Sequence, residues 1–484
     1  MPRLAWFSPM PPVATGVAAC SADLVPALAA EHQIDVFVDE AVARVAPGTR
    51  SAHEFVWRHR QQPYDLTVYQ VGNSSHHDYL WPYLFRYPGL TVLHDAHLHH
   101  ARAAALLRTL RAADYRTEFL RNHPGASADI AELAVAGFDS HLYYAFPMTR
   151  LVAQTSRLVA VHGTILAARL RTELPDVPVA AIRLGQGTLL SPDEAHTARS
   201  RARSRHGIAG NAFVFGCYGG LSPDKRVPEI LAAFGAVRPY VPAAHVLLAG
   251  SVPRHYDLAR DIERHGLGDC VTLTGYLQTD AAFTDAIAAC DVALNLRWPT
   301  AREVSGPWLR CLAAGKPTIV IDLAHLTDVP TIDPRTWRPN VTVHGARATP
   351  QAPCAVAIDI LDEAHSLRLA MRRLGTDPLL RASLGRAARA YWLEAHSIDS
   401  MIADYRELVS DAIRRPASSV SLPPHLRDDG QRTLGRLLRP FGLPSPFGPG
   451  AQSRTATAGS HTQCEPRTRA RSLNEVSCDD SRER

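Results

Sequence analysis

The chain has 484 residues, of which 46% are hydrophobic and 20% charged, so it is long enough for two or three folded domains and is not disordered throughout. Its formal net charge is +5, of which residues 1–416 carry +2, and so balanced a body argues against a nucleic-acid binder with a concentrated basic face. Lysine occurs only twice, at Lys225 and Lys316, so arginine supplies the other 50 of the 52 basic side chains.

The eight cysteines include no C-x-x-C pair, and most lie in apolar runs, as Cys217 does. In a chain of this size the pattern predicts buried, reduced thiols rather than a disulfide framework or a zinc site. No uninterrupted apolar stretch reaches the length of a transmembrane helix, and prolines interrupt the N-terminal region where an export signal would lie. We therefore expect a cytoplasmic protein.

The first part of the chain alternates short apolar runs with helical segments. Helices are predicted at 24–30 and from the end of the apolar run 158–161 through Arg171. Strands are predicted at 4–7, 34–38, 66–69, 90–93, 158–161 and 177–182. Alternation of this kind indicates parallel strands joined by crossover helices.

A second alternating series follows a polar, arginine-rich segment at 191–210, which we interpret as a linker or the start of the next domain. Its strands are predicted at 212–217, 245–249, 271–274, 292–296 and 318–321. Its helices are predicted at 227–237, 256–265, 281–289, 307–314, 355–375, 378–394 and 398–414.

The two series predict an α/β protein with two doubly wound, Rossmann-like domains, 1–190 and 211–390, facing across a cleft. The helices of 391–416 are expected to pack back toward the first domain. Ligands of such sheets bind at the carboxyl ends of the strands. The segment 417–484 is rich in Pro, Gly, Ser, Thr and Arg and is expected to be disordered. Its basic amphipathic patch, 432–439, predicts either a solvated segment or weak peripheral contact with an anionic membrane surface.

Two loops of the first domain carry candidate binding groups. Residues 8–16 lead from the first strand into a helix near Gly16, where backbone amides can face an anion or a sugar hydroxyl, unless the loop is an ordinary proline-rich turn. Residues 93–100 contain His94, Asp95 and three further histidines. A metal site and simple packing are alternatives, but a strand-end position favours His94 or Asp95 facing the cleft.

Two loops of the second domain are also candidates. Residues 215–226 place Gly219 and Gly220 before Lys225 and Arg226, so that backbone and cations can hold a diphosphate; the alternative is a basic solvated turn. The loop lacks the G-x-G-x-x-G fingerprint of a dinucleotide fold. Residues 295–317 bring a carboxylate, hydroxyls and free amides to the start of a helix, which suits a ligand with hydroxyls and phosphate better than a capped helix alone.

The chain resembles the retaining glycosyltransferases of family 4, the group 1 class, which have the two-domain GT-B fold. The resemblance extends over most of residues 1–412 and is most specific at 290–317, which is similar to one bacterial branch. Segments 69–73, 93–95 and 381–405 also resemble that branch.

The resemblance implies a nucleotide-sugar donor, most often a UDP- or GDP-sugar, and a glycan or lipid-linked sugar as acceptor, with no cofactor, metal or nucleic acid. It implies catalytic roles for Lys225, Glu303 and His94. The donor-binding residues it implies are Gly219, Gly220, Lys225, Arg226, Arg297, Glu303, Val304, Ser305 and Gly306. The acceptor-binding residues it implies are Gly16, His94 and Asp95.

The chain departs from the family pattern at several positions. The second glutamate of the E-x7-E motif, which binds the ribose in the family, is replaced by Arg310 or, by strict spacing, Cys311. Gly219 and Gly220 stand where the family often has an arginine before the phosphate lysine. Arg302 stands where the branch has a small residue. Ribose recognition and donor identity are therefore left open.

The reaction that we expect is transfer of a hexose to a hydroxyl with retention of anomeric configuration. Fixed cations and helix N-termini stabilise the departing diphosphate, and His94 orients the acceptor. The alternatives are a sugar-nucleotide epimerase of the same architecture and a non-catalytic nucleotide-sugar or glycan-binding protein. Lys316, in a turn after a helix, is expected to serve only as a helix C-terminal charge.

Overall fold

The structure is a computed structural model that describes residues 1–138, 141–340, 351–427 and 431–443, with the backbone alone for 431–433. The chain divides into a compact unit, Met1–Arg427, and a second unit that starts at Asp428. In the second unit the described part contains the helix Gln431–Leu438, where the sequence predicts the amphipathic patch.

The first half of the large unit contains a sheet of seven parallel strands in the order β3-β2-β1-β4-β5-β6-β7. Its strands are β1 Arg3–Phe7, β2 Gln33–Val38, β3 Thr49–Ser51, β4 Leu66–Val71, β5 Leu90–Leu93, β6 Leu158–His162 and β7 Val179–Ile182. The central strands β4, β5 and β6 are buried along their whole length, as expected where helices cover both faces of a parallel sheet.

The second half contains a second sheet of seven strands in the order β10-β9-β8-β11-β12-β14-β13. Its strands are β8 Phe213–Tyr218, β9 Ala244–Ala249, β10 Val271–Leu273, β11 Val292–Asn295, β12 Thr318–Ile321, β13 Thr331–Ile332 and β14 Ala355–Ile358. All the paired strands of this sheet are also parallel. The α/β class with two doubly wound sheets is therefore confirmed.

Helices connect the strands and cover the sheets. Those of the first half are α1 Gly16–Leu28, α2 Glu40–Ala43, α3 Phe55–Gln61, α4 Trp81–Arg86, α5 His99–Leu107, α6 Ala112–Asn122, α7 Ala128–Val135, α8 Leu142–Ala145, α9 Arg150–Thr155 and α10 Thr164–Glu173. Those that follow are α11 Pro192–Arg205, α12 Val227–Val237, α13 Leu258–Arg264, α14 Asp280–Ala289, α15 Gly306–Ala313, α16 Glu363–Thr376, α17 Pro378–Ala395, α18 Ile398–Arg414, α19 Pro424–Arg427 and α20 Gln431–Leu438.

One element differs in type from its prediction. Residues 355–375 were expected to form a single helix, but they begin with the strand β14, and the helix α16 starts only at Glu363. The run from Ala355 to Ile358 is apolar and buried, and it pairs with β12 and β13. Periodicity cannot separate so short an apolar run from a helical turn.

The structure describes helices in two further segments, 191–210, which we interpreted as a linker or the start of the next domain, and 417–427, the start of the predicted tail. Within 191–210, the helix α11 starts at a capping box made by Ser191 and Glu194 and packs against α14. Within 417–427, the Ser418 hydroxyl donates a 3.0 Å hydrogen bond to the Ser156 carbonyl, and Leu422 packs against the core of the first half. The segment 444–484 lies outside the described residues.

The helix α18 belongs to the second half of the chain in sequence but packs on the first sheet. Its buried side chains include Met401 and Tyr405, and the Tyr405 ring lies 5.7 Å from that of Trp6. Asp404 pairs with Arg183 at the end of β7. The C-terminal helices therefore tie the two halves together.

The cysteines within the described range are all free and buried: Cys20, Cys217, Cys270, Cys290, Cys311 and Cys354. Among the described helices, we find none with the length and apolar character needed to cross a membrane.

Candidate active site

The carboxyl ends of the two sheets face each other, and loops from both halves meet there. The His97 amide, after β5, donates a 3.1 Å hydrogen bond to the Ala301 carbonyl, after β11. The Thr164 hydroxyl, after β6, donates a 2.8 Å hydrogen bond to the Asp328 carboxylate, after β12. The candidate site is built around this junction.

Lys225 lies in the loop after β8, where Gly219 adopts a left-handed conformation with φ of +94°. The Lys225 ammonium donates a 3.2 Å hydrogen bond to the Tyr218 carbonyl, and the Lys225 side chain is buried. A Cβ atom at Gly219 would lie 3.4 Å from the Lys225 Nζ atom. Burial, and next the Arg297 guanidinium, lower the pKa of Lys225 to about 8. The ammonium has two further protons that can bind an anion placed over the glycine.

Arg226 is turned toward other partners. Its backbone is left-handed, with φ of +58°, and its guanidinium pairs with Glu363 at 2.8 Å and with Glu229 at 2.7 Å. These pairs fasten the start of α12 to the start of α16. The structure therefore places Arg226 beside Lys225 in the chain but engages its charge in structural ion pairs.

Glu303 belongs to a charged cluster between the two loops of the second half. Its carboxylate forms a 2.8 Å ion pair with the Arg297 Nε atom and accepts a 2.9 Å hydrogen bond from the Thr300 hydroxyl. The Arg297 guanidinium also pairs with Asp224 in the Lys225 loop, and the Trp298 amide donates to the Asp224 carbonyl at 2.8 Å. Arg297 thus connects the two loops that the sequence assigned to the donor.

Ser305 and Gly306 form the start of α15. The Ser305 hydroxyl caps the helix by accepting from the Trp308 amide at 3.4 Å. In the described part of the chain the Ser305 and Gly306 amides donate to no protein group. Free amides at a helix N-terminus favour an anion, so this turn is suited to a phosphate or to sugar hydroxyls.

Gln186 links this helix start to Gly16 in the first half. Its side-chain amide donates a 3.3 Å hydrogen bond to the Gly16 carbonyl, and a Cβ atom at Gly306 would lie only 2.2 Å from its Oε1 atom. The sequence reasoning did not identify Gln186. The available signal was its position between Gly185 and Gly187 in the loop after β7, since glycines near a strand end permit close approach.

His94 and Asp95, consecutive in sequence, have different surroundings. The His94 Nε2 atom lies 2.7 Å from the Gln70 side-chain oxygen, and the Nδ1 atom lies 3.2 Å from His162 Nε2. Because an amide oxygen only accepts, His94 carries its proton on Nε2 and accepts from His162. Burial, followed by the His162 and His77 rings, lowers the pKa of His94 well below its usual range. Both ring nitrogens are thus engaged inside the first half.

Asp95 faces the charged cluster instead. Its carboxylate accepts a 2.7 Å hydrogen bond from the backbone N–H of Asn73. Burial, and next the Glu303 carboxylate, raise the pKa of Asp95 to about 7, although the Asn73 hydrogen bond and Arg297 oppose the shift. With a pKa near 7 both the protonated and the ionised form are populated at neutral pH, so this carboxyl group can donate or accept a hydrogen bond at the junction.

The place of the missing motif glutamate is filled by groups of the second half. Arg310 pairs with Asp280 of α14 and lies over the Phe283 ring, 5.3 Å from its centroid. Cys311 is buried. Neither position presents a carboxylate for a ribose.

Lys316 places its charge at a helix C-terminus, as expected. The helix is the neighbouring α14, however, and not α15, which precedes Lys316 in the chain. The Lys316 ammonium donates hydrogen bonds of 3.0 and 2.8 Å to the carbonyls of Ala288 and Cys290.

The histidine-rich segment does not converge on a common centre. Within the described ranges, we find no group of three or more His, Cys, Asp or Glu side chains that could hold a metal ion. His99 donates from Nδ1 to the Phe146 carbonyl and accepts at Nε2 from the Tyr115 hydroxyl, so both of its ring nitrogens are engaged within the first half.

Two cavities lie between the halves. One of about 690 Å³ is lined by His162, Val304, Trp308 and His325, among others, which places the predicted donor residue Val304 in its wall. The second, of about 330 Å³, lies on the other side of His325, beside Thr300.

Comparison with solved structures shows that this architecture is the GT-B fold of glycosyltransferases. The chain is similar to Anabaena HepE in complex with UDP and glucose, at 16% identity and a TM-score of 0.56, over 85% of this chain and 100% of that one. It is similar to sucrose-phosphate synthase from Thermosynechococcus elongatus, at 16% identity and a TM-score of 0.55, over 85% and 100%. It is also similar to the catalytic domain of starch synthase IV from Arabidopsis thaliana bound to ADP and acarbose, at 12% identity and a TM-score of 0.56, over 86% and 100%.

No protein-family model matches the chain, and no curated protein matches it by sequence. At these identities the structural likeness establishes the fold, and the function has to be argued from the site.

Proposed function

We propose that the protein is a retaining glycosyltransferase that moves a hexose from a UDP- or GDP-sugar to a hydroxyl of a glycan or lipid-linked sugar. The observation that carries the proposal is the buried Lys225 ammonium on a loop that Arg297 joins to Glu303 through ion pairs with Asp224 and Glu303. The free amides at the start of α15 follow Glu303 in the chain. Support comes from the neighbour HepE, whose structures hold UDP with glucose and UDP-glucose.

In the proposed reaction the bond between the sugar C1 atom and the diphosphate oxygen breaks, and negative charge grows on the diphosphate. Lys225 and the amides of Ser305 and Gly306 stabilise that charge without reorganising, because burial and the helix fix them in place. The acceptor hydroxyl forms the new bond to C1 on the same face, and its proton passes to the departing phosphate oxygen.

The residues facing the acceptor are Asp95 and Gly16. With both ring nitrogens of His94 engaged, we assign this histidine to holding Gln70 and the strand ends in place. Asp95 is a carboxyl group of the first half whose pKa is raised by burial and next by the Glu303 carboxylate, and the pKa of Tyr144 is also raised by burial and in part by Glu303. We therefore assign to Asp95 the hydrogen bond that orients the acceptor hydroxyl.

The test compares Lys225→Ala with Lys316→Ala. Both variants remove a lysine whose ammonium donates to backbone carbonyls, but only Lys225 lies beside the proposed phosphate site. Replacement of Lys225 is expected to lower transfer by on the order of 10²-fold or more and to weaken UDP binding, measured by calorimetry. Replacement of Lys316 is expected to lower thermal stability and leave the UDP affinity unchanged.

Near-normal transfer by the Lys225 variant with a verified donor would refute the assignment. UDP binding without turnover in any donor and acceptor screen would instead identify a non-catalytic binding protein. Conversion of the donor into its epimer without an acceptor would identify an epimerase.

A further inference from the structure

A second, basic pocket lies beside the candidate active site. The cavity of about 330 Å³ is lined by residues that include His97, Tyr144 and Arg169 of the first half and Thr300, Arg302 and His325 of the second. Thr300 connects it to the active site, because its hydroxyl donates to the Glu303 carboxylate at 2.9 Å. Only the Thr300 side chain therefore separates a molecule in this pocket from the Glu303 carboxylate.

His97 is the group that points to a ligand. Its side chain is 3% exposed, and neither ring nitrogen has a hydrogen-bond partner within the described residues. Its backbone is fixed by the hydrogen bond to Ala301, so the ring is held at the wall of the cavity. Burying a polar ring without partners is unfavourable, and such rings in native proteins commonly face a ligand or an ordered water.

The pocket also carries more positive than negative charge. Arg169 and Arg302 share one carboxylate, that of Glu173, at 2.7 and 3.9 Å respectively. Burial, and next the Arg169 charge, lower the pKa of Arg302. The same burial and the two guanidiniums lower the pKa of His97 to about 3, so its ring is neutral and offers one N–H donor. The local field favours an added anion.

Arg302 is placed in the pocket by its backbone. It adopts a left-handed conformation with φ of +59°, and its amide donates a 3.0 Å hydrogen bond to the Thr300 hydroxyl. Its side chain is 17% exposed.

We propose that this pocket binds a phosphate group carried by the acceptor. Two guanidiniums and a neutral imidazole donor match the several oxygens of a phosphate better than a single carboxylate. The inference rests on the proposed function, because it places the hydroxyl of the acceptor beside Asp95 and the phosphate of the same acceptor in the pocket. It predicts that the substrate is a phosphorylated or phosphate-linked sugar and that a neutral glycan binds weakly.

The test uses inorganic phosphate as the probe, with the full-length protein and the donor site filled by UDP. Phosphate binding to the native state is measured as a rise in melting temperature. In the wild-type protein we expect a phosphate-dependent rise, and in the double variant Arg169→Ala with Arg302→Gly we expect the apparent affinity for phosphate to fall about tenfold or more. Glycine suits the left-handed backbone at 302, so the variant is expected to fold.

The matched control is Arg58→Ala, which also removes an arginine paired with a glutamate one helical turn away, in the helix α3. It is expected to keep the wild-type phosphate response. An unchanged response in the double variant, or a larger response to glucuronate than to phosphate, would overturn the proposal.

The experiment separates this inference from the proposed function. If UDP itself fails to raise the melting temperature, the donor assignment fails. The phosphate response is then measured without nucleotide in proteins that carry Lys225→Ala, with and without the double substitution. If UDP binds to every variant equally and only the phosphate response is lost, the pocket is assigned independently of the donor site.

Discussion

The His97 amide and the Ala301 carbonyl form a 3.1 Å hydrogen bond that joins the loop after β5 to the loop after β11. Asp95 lies two residues before His97, and Glu303 lies two residues after Ala301. The contact therefore brings carboxylates from the two halves close enough for Glu303 to add to burial in raising the pKa of Asp95. The proposed acceptor and donor groups therefore depend on how the halves meet as well as on the residues themselves.

The pKa of Asp95, raised to about 7, predicts a pH-dependent stability. Between about pH 4 and pH 7 the carboxyl group is protonated in the folded protein and ionised in the unfolded chain, so its contribution to stability is fully present below about pH 4 and is lost progressively until the pH passes about 7. Asp95→Asn removes this loss. Between pH 5 and pH 8 the free energy of unfolding of the variant is expected to rise by about 2 kcal/mol relative to that of the wild type, measured by urea unfolding.

Asp176→Asn, which changes an exposed carboxylate, serves as the control and is expected to show no such gain. The same Asp95 variant is expected to flatten the rise of the transfer rate with pH near 7, because the ionised carboxylate accepts the hydrogen bond of the acceptor hydroxyl. A stability difference that is constant between pH 5 and 8 would contradict the shifted pKa.

The organisation of the chain was predictable because its strands are short apolar runs with helices between them. The bounds of β5, β12, α12 and α18 agree with the prediction. The strands β3 and β13 were not predicted, since β3 is a polar edge strand and β13 has only two residues. The helix α11 was not predicted because its many arginines conceal the pattern: Arg203 is buried and donates to backbone carbonyls.

The site was predictable only in its loops. Lys225, Glu303 and Asp95 follow strand ends, which parallel sheets bring to one edge. The partners of each side chain were not predictable, because they come from distant segments. Arg226 pairs with Glu363, and the ring of His94 faces Gln70 and His162, and no local spacing in the sequence encodes these contacts.

Gly250→Ala tests the backbone of the donor loop. A Cβ atom at this position would lie 1.7 Å from the Gly219 carbonyl oxygen, and a backbone atom cannot rotate away as a side chain can. The variant is expected to displace the loop that carries Lys225, so that UDP affinity falls about tenfold or more and stability falls by about 2 kcal/mol or more. Calorimetry and urea unfolding measure the two effects.

Gly235→Ala is the matched control for that substitution. This glycine lies inside the helix α12, and a Cβ atom added there meets no atom within 4 Å. Alanine is expected to stabilise the helix by up to about 1 kcal/mol and to leave UDP binding unchanged. Equal losses in the two variants would show that the close approach of Gly250 to Gly219 does not hold the donor loop.

Glu303→Gln tests the charged cluster. The substitution removes the negative charge that pairs with Arg297, while an amide oxygen can still accept from Thr300. We expect transfer to fall by on the order of 10²-fold with a smaller effect on UDP affinity, because we propose that Glu303 contacts the transferred hexose and not the nucleotide. Glu229→Gln, which changes a carboxylate paired with Arg226, is expected to retain transfer. Unchanged transfer and donor hydrolysis in the Glu303 variant would remove this residue from the site.

Two truncations test where the folded unit ends. Glu118 is buried and pairs with Arg102, and His425 adds a third contact at 2.7 Å. Although burial opposes it, these two partners hold the pKa of Glu118 below its usual range. A chain that ends after residue 416 loses His425 and exposes the surface under Leu422, so we expect its melting temperature to fall by several degrees. A chain that ends after residue 427 keeps these contacts and is expected to melt with the full-length protein. If both truncated chains melt together, the segment 417–427 contributes nothing to the fold.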